Sequence, residues 1–135
     1  MVVDASVVVS RLVAHDVRHE ASRRWLTRHV AGGGLVIAPT LLLPEVAGAV
    51  ARRTAEPRLA RRAVDAVLRL PALRPVPVDD VLARMAAKLA AQLRVRGADA
   101  IYIAVAATLQ LPLVTWDVEQ RDRAARLVEV FVPDD

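Results

Sequence analysis

Four acidic side chains in this sequence have surroundings that suit a metal site. They are Asp4, Glu45, Asp99 and Asp117. Asp4 follows two valines, Glu45 stands within the apolar run 41–47, and Asp99 lies between alanines. An ionised carboxylate in apolar surroundings is costly unless it has a partner, and no Lys or Arg stands beside Asp4 or Glu45 in the sequence. Because no Cys or His is near these oxygen ligands, they indicate a hard cation, Mg²⁺ or Mn²⁺.

Capping is the alternative interpretation of three of these acids. Asp4, Asp99 and Asp117 stand at or near predicted helix starts, where aspartate commonly caps the helix. Glu45 has no such explanation, and the joint pattern of four acids favours the metal site.

Several other residues are weaker candidates for a functional site. Ser6 and Thr115 stand beside the proposed site and would orient a carboxylate, a water or a phosphate, or would serve as plain caps. Arg52 and Arg53 belong to an arginine-rich predicted hairpin that could follow a phosphate backbone or form a solvated face. We interpret the remaining candidates as surface or core residues, namely Asp122, His15, His19, His29 and Trp116.

The composition bounds the kind of protein. The length of 135 residues predicts a single domain, and the hydrophobic share of 55% is enough for a sizeable, mainly aliphatic core. With no cysteine, disulfides and zinc–thiolate sites are excluded, which is compatible with a reducing cytoplasm. No run of residues is long and apolar enough to predict a membrane span, and the first residues do not resemble a signal peptide. We therefore expect a soluble, cytoplasmic protein.

The charge balance suits a polyanionic substrate. Lys and Arg number 19 against 15 Asp and Glu, and the net charge is +4. If four of the acids gather at one metal site, the rest of the surface is strongly basic, which favours RNA or another polyanion as partner. An arginine-rich genome would give the same composition.

The hydrophobic pattern predicts strands alternating with helices. The first expected strand ends near Asp4. The other four cover 35–38, 73–78, 112–115 and 128–132. One expected helix begins just after Asp4, and another begins with Thr40 as its cap. The remaining helices are expected to cover 15–31, 57–70, 80–95, 97–109 and 118–127. This order predicts an α/β fold with a parallel sheet of four to five strands and helices on both faces. Parallel strands share one carboxyl edge, where ligands bind, so the four acids are expected to meet there.

The motifs that carry these acids resemble those of PIN-domain nucleases, and most closely the toxins of VapBC-type toxin–antitoxin pairs. The resemblance covers the whole length, 1–135, as a single PIN domain. It rests on four motifs in order: VVDASV at 2–7, LPEV at 43–46, RGADAIYIA at 96–104 and LVTWD at 113–117. The acids of the family's metal site correspond to Asp4, Glu45, Asp99 and Asp117, and Trp116 is an unusual neighbour for the last of them.

The resemblance implies a PIN fold and a Mg²⁺- or Mn²⁺-dependent endoribonuclease. It also implies a homodimer and a cognate antitoxin that inhibits the enzyme by laying a peptide along it. The hypothesis is hydrolysis of RNA by in-line attack of a metal-activated water. The alternatives are an RNA-processing PIN nuclease or an inactive PIN binding module outside a toxin pair. A flavodoxin-like phospho-acceptor domain is disfavoured, because a lone acid follows the first strand and the only lysine, Lys88, lies inside a predicted helix.

Overall fold

The computed structural model describes residues 1–133, and the order of its elements confirms the predicted alternation. The strands are β1 (Val2–Val3), β2 (Val36–Pro39), β3 (Leu73–Val76), β4 (Leu113–Val114) and β5 (Val130–Phe131). The helices are α1 (Ala5–Leu12), α2 (His19–Ala31), α3 (Leu42–Thr54), α4 (Pro57–Leu68), α5 (Asp80–Leu93), α6 (Gly97–Leu109) and α7 (Val118–Ala124). No helix within residues 1–133 is long and apolar enough to cross a membrane.

The five strands form one parallel sheet in the order β3-β2-β1-β4-β5. The chain therefore builds outward from β1 to β3, then returns past β1 to build the other side. The strand order reverses between β1 and β4, where Val2 pairs with Leu113 and Val3 with Val114. In open α/β sheets, the crevice at the carboxyl ends of such strands is the usual ligand site.

Both faces of the two central strands are covered. Val2, Val3, Leu113 and Val114 are completely buried, although neighbouring residues of a strand point to opposite faces. Helix α6 contacts β1, β2 and β4 and is apolar around most of its circumference. Because α6 carries Asp99 in its first turn, its packing against the sheet fixes that side chain near the ends of the central strands.

Two predictions about the starts of helices were wrong. The helix expected from residue 15 begins at His19, because Asp16 forms a turn in which its side chain accepts a hydrogen bond from the Arg18 amide at 2.8 Å. Thr40 does not cap α3; its hydroxyl accepts a hydrogen bond from the Val78 amide at 3.4 Å instead.

Candidate metal-binding and nuclease site

The four acids predicted from the sequence line one open pocket of about 540 Å³ at the reversal point of the sheet. Asp4 directly follows β1, and Asp117 follows β4 by three residues. Glu45 lies in the first turn of α3 and Asp99 in the first turn of α6. Ser6, Arg52, Arg53 and Arg96 line the same pocket, so an acidic floor has basic side chains around it.

Asp4 is the most buried of the four acids and is held by three neutral donors. The residue is 6% exposed. Oδ2 accepts hydrogen bonds from the Ser6 amide at 2.9 Å and from Thr115 Oγ1 at 3.2 Å. Oδ1 accepts one from Gln120 Nε2 at 3.3 Å. Since a buried carboxylate needs hydrogen-bond partners, these contacts fix Asp4 without neutralising its charge.

The side-chain amide of the buried Gln120 donates to Asp4, and its own oxygen is left without a hydrogen bond. Its Oε1 is buried and has no hydrogen-bond partner among residues 1–133. The opposite amide orientation would place that oxygen against Asp4 Oδ1, and two acceptors repel each other. The carboxylate therefore determines how Gln120 is oriented.

Thr115 connects the strand ends of β1 and β4. Its hydroxyl donates to Asp4 and accepts a hydrogen bond from the Asp117 amide at 3.0 Å. Ser6 Oγ lies 3.4 Å from Thr115 Oγ1 and accepts a hydrogen bond from the Trp116 amide at 3.1 Å. Both supporting residues predicted from the sequence thus orient the backbone around two of the acids.

Trp116, the residue before Asp117, is anchored to helix α2 by its side chain. Its indole Nε1 donates to Ser22 Oγ at 2.7 Å, and Ser22 is fully buried. The Arg18 guanidinium lies 5.0 Å from the ring centroid and donates to the Trp116 carbonyl at 3.4 Å. The indole therefore packs into the protein, in agreement with the packing interpretation.

Arg96 bridges Asp99 and Asp117. Its Nε donates to Asp99 Oδ2 at 2.8 Å, and one terminal nitrogen donates to Asp99 Oδ1 at 3.4 Å and to Asp117 Oδ2 at 2.6 Å. Asp117 also caps α7, since Oδ1 accepts from the Gln120 amide at 2.9 Å. One guanidinium thus neutralises part of the charge of both carboxylates.

Glu45 is held by a buried phenol. Tyr102 Oη donates to Glu45 Oε2 at 2.7 Å and ties α6 to α3. Burial, with the nearby charges of Glu45 and Asp4, raises the pKa of Tyr102 far above its usual value, so the phenol stays protonated as a donor. Burial also raises the pKa of Glu45, the Tyr102 hydrogen bond lowers it, and the charges of Asp4 and Asp99 raise it again.

The acids interact electrostatically with one another. Burial raises the pKa of Asp99, the neighbouring Arg96 opposes this rise, and the charges of Asp4 and Asp117 add to it. A divalent cation would relieve this repulsion, and an all-oxygen donor set fits Mg²⁺ or Mn²⁺. Within residues 1–133, no three acidic or histidine side chains are already arranged as a coordination shell.

The remaining candidates lie on the pocket rim or outside the pocket. Arg52 is exposed on the pocket rim, and Arg53, also on the rim, pairs with Asp16. Asp122 is exposed and contacts Arg121 outside the pocket. The surface interpretation holds for His15, whereas His19 and His29 are half-buried and lie 3.1 and 3.0 Å from the carbonyls of Ser10 and Leu35.

Sequence reasoning assigned no function to three side chains that hold the acids: Arg96, Tyr102 and Gln120. The sequence spacing indicated that two of them could lie near Asp99. Arg96 stands three residues before it and Tyr102 three residues after it, and side chains three apart share a helix face. Gln120 stands three residues after the cap Asp117, but nothing local indicates that its side chain reaches Asp4.

Comparison with known proteins gives a family and several structural neighbours. The family model of the PIN domain matches residues 1–126. The chain resembles VapC20 of Mycobacterium tuberculosis, a sarcin–ricin-loop-cleaving toxin, with 25% identity, a TM-score of 0.75 and coverage of 96% of this chain and 97% of that chain. Among curated protein sequences no significant match is found.

Two further neighbours share the fold at lower identity. FitAcB from Neisseria gonorrhoeae has 20% identity and a TM-score of 0.74, covering 98% of this chain and 96% of that chain. VapBC2 from Rickettsia felis, whose structure includes a DNA fragment from its promoter, has 13% identity, a TM-score of 0.71 and coverages of 97% and 96%.

Proposed function

The chain belongs to the PIN-domain family, and on this premise we propose that it is a divalent-metal-dependent endoribonuclease and the toxin of a toxin–antitoxin pair. The observation that carries the proposal is the shared pocket: four carboxylates from separate elements line it, and three arginines stand around them. A pocket that attracts both a cation and a polyanion suits the hydrolysis of a phosphodiester.

In this proposal Asp4 and Asp99 are direct ligands of Mg²⁺ or Mn²⁺, and Asp117 and Glu45 complete the ligand set directly or through water. When bound, the cation would supply an activated water and neutralise charge on the phosphate. The protein's own contribution is to hold the oxygens in place. Thr115 fixes Asp4, Tyr102 fixes Glu45, and Glu45 is the acid that would position the attacking water.

The basic rim is the proposed contact surface for RNA. Arg52 and Arg53 lie on the last turn of α3 and line the pocket that holds the acids. Arginine binds phosphate through paired N–H donors, and the excess of basic residues over the whole chain would favour association with a polyanion.

The proposed partners follow from the neighbours. VapBC2 and a FitAB complex bound to a DNA fragment are toxin–antitoxin structures of the same fold, so we include a cognate antitoxin as the inhibitor of this chain. A homodimer, a single PIN domain over 1–135 and a cytoplasmic location complete the proposal.

RNA cleavage by matched variants tests the function. Purified wild type, Asp4→Asn and Asp99→Asn are incubated with Mg²⁺ or Mn²⁺ and two substrates, total cellular RNA and a stem-loop that contains the sarcin–ricin sequence. The second substrate is included because VapC20 cleaves that loop. We expect each variant to lose on the order of a hundredfold or more in rate, since each removes a charged ligand.

Asp122→Asn is the control, because Asp122 is an exposed acid outside the pocket; it should cleave like wild type. Equal cleavage by wild type and both pocket variants would reject the proposed site and point to a contaminating nuclease. Binding of Mn²⁺ without cleavage of any RNA would favour the binding-module alternative.

A further inference from the structure

Arg96 occupies the carboxylates that the proposed function assigns to the cation. Both oxygens of Asp99 and Oδ2 of Asp117 accept hydrogen bonds from its guanidinium. These acids are 14% and 28% exposed, whereas the Arg96 side chain is 69% exposed. The acids are therefore held in the wall of the pocket, and the arginine reaches them from solvent.

The two halves of this ion pair have different freedom to move. Asp99 is held in place because it belongs to the first turn of α6. Asp117 is held because its side chain caps α7. Arg96 immediately precedes α6 and has a long side chain that is mostly in water. Because exposed ion pairs contribute little to stability, the guanidinium is the group that gives way when another cation competes for the same oxygens.

A displaced Arg96 stays at the site. Its backbone is three residues from Asp99, and the residue lines the same pocket as Arg52. A guanidinium that has lost two carboxylates is a fork of unpaired N–H donors, which matches the oxygens of a phosphate. An RNA phosphate that contacts the bound cation would therefore lie close enough to contact Arg96 as well.

We propose that Arg96 is a substrate-binding residue with two successive partners. Asp99 and Asp117 hold it in this structure; when these acids bind a divalent cation, Arg96 would leave them and bind a phosphate of the RNA next to the cleaved bond. No covalent bond changes in this exchange. The inference rests on the proposed function, because it needs both the cation and the RNA.

Binding of Mn²⁺ without RNA tests the first position. Calorimetry is run on wild type, Arg96→Gln, Arg96→Lys and Arg52→Gln. Arg52→Gln is the matched control, since it removes one positive charge from the same pocket and no hydrogen bond of the Arg52 side chain to the acids is seen within residues 1–133. Loss of distant charge alone predicts a gain of about twofold in affinity.

Removal of a competitor predicts more. Loss of the charge together with the two ion pairs to Asp99 and Asp117 implies that Arg96→Gln binds Mn²⁺ roughly three- to sixfold more tightly than wild type. Arg96→Lys keeps the charge without the paired N–H donors of the guanidinium, so its affinity for Mn²⁺ should lie between those of wild type and Arg96→Gln. Equal affinities of Arg96→Gln and Arg52→Gln would overturn the displacement. The absence of Mn²⁺ binding in every variant, wild type included, would reject the metal site of the proposed function and this inference with it.

RNA cleavage at saturating Mn²⁺ tests the second position. Loss of a phosphate contact predicts that Arg96→Gln raises KM by about three- to tenfold, with a smaller change in kcat. Circular dichroism and melting in EDTA establish that each variant is folded. An unchanged KM in a folded Arg96→Gln enzyme that cleaves RNA would overturn the phosphate contact while leaving the proposed function intact.

Discussion

The two halves of the pocket solve the same electrostatic problem in different ways. In the inner half, Asp4 is buried and receives hydrogen bonds from the Ser6 amide, Thr115 and Gln120. All these donors are neutral and belong to the packed ends of β1 and β4 or to the helices that follow them. In the outer half, Asp99 and Asp117 share one exposed arginine.

The difference separates a fixed part of the site from an exchangeable part. A neutral donor in a packed core orients a carboxylate and leaves its charge available to a cation. An arginine satisfies the charge itself, so a cation has to replace it. The inner half is therefore prepared for a metal, whereas the outer half exchanges one cation for another.

The largest expected effect is on the inner half. Thr115→Val keeps the shape of the side chain but removes one of the three donors to Asp4 and leaves the Asp117 amide without its acceptor. Unpaired buried polar groups are costly, so we expect a loss of about 2–4 kcal/mol in the free energy of unfolding. Urea denaturation in EDTA measures it.

Thr108→Val is the matched control for this substitution. The Thr108 hydroxyl is exposed and its contact is with the Met85 sulfur at 3.2 Å, so the change should stay within about 0.5 kcal/mol. A Thr115→Val protein as stable as this control would mean that the inner half is not rigidly organised.

A smaller effect of opposite sign is expected at Glu45. Burial raises the pKa of this carboxyl in the folded protein, so its ionisation opposes folding. Glu45→Gln keeps an acceptor for Tyr102 and removes the charge. After allowance for the exposed part of the side chain, we expect a gain of about 0.5–1 kcal/mol at pH 7 in EDTA.

The pH dependence gives the sign of this effect independently. A raised pKa in the folded state adds stability at pH values below the ordinary glutamate pKa, and this stability is lost as the pH rises through the folded-state pKa. The advantage of Glu45→Gln should therefore appear above that range and vanish below it. An advantage that persists unchanged in acid would come from packing instead of charge.

The smallest expected effect is on the outer half. Arg96→Gln removes two salt bridges whose arginine is mostly in water, so the loss of unfolding free energy in EDTA should be a few tenths of a kcal/mol. It should shrink further in high salt, because screening weakens exposed pairs. A loss as large as that of Thr115→Val would show that Arg96 is structural and would remove the contrast between the halves.

Much of the fold could be predicted because local signals were strong. Helix α6 has the predicted bounds, since Gly97 precedes a mainly apolar segment in which Asp99 is the one charged residue and which ends before Pro112. Three of the four acids follow predicted strands or begin helices, so parallel topology alone placed them near one edge. Strands β3, β4 and β5 are shorter than predicted, but residues beside β4 still form hydrogen bonds with neighbouring strands, from the Val2 amide to the Pro112 carbonyl and from the Thr115 amide to the Phe131 carbonyl.

The partners of the acids could not be predicted, because they are distant in sequence. Tyr102 is 57 residues from Glu45, and Gln120 is 116 residues from Asp4. Their contacts depend on how α6 and α7 pack against neighbouring elements, which no local pattern records. Arg96 was within a recognised motif, yet the same spacing describes an ordinary surface ion pair.

The hydrogen bond of Trp116 to the buried Ser22 makes the site visible by optical spectroscopy. The chain contains two tryptophans, and the other, Trp25, stacks on His29, with the ring centroids 5.1 Å apart. With Trp25 replaced, the emission of one indole would report on the residue directly before Asp117. The same network that presents this carboxylate thus supplies an intrinsic fluorescent probe, and no chemical label is needed.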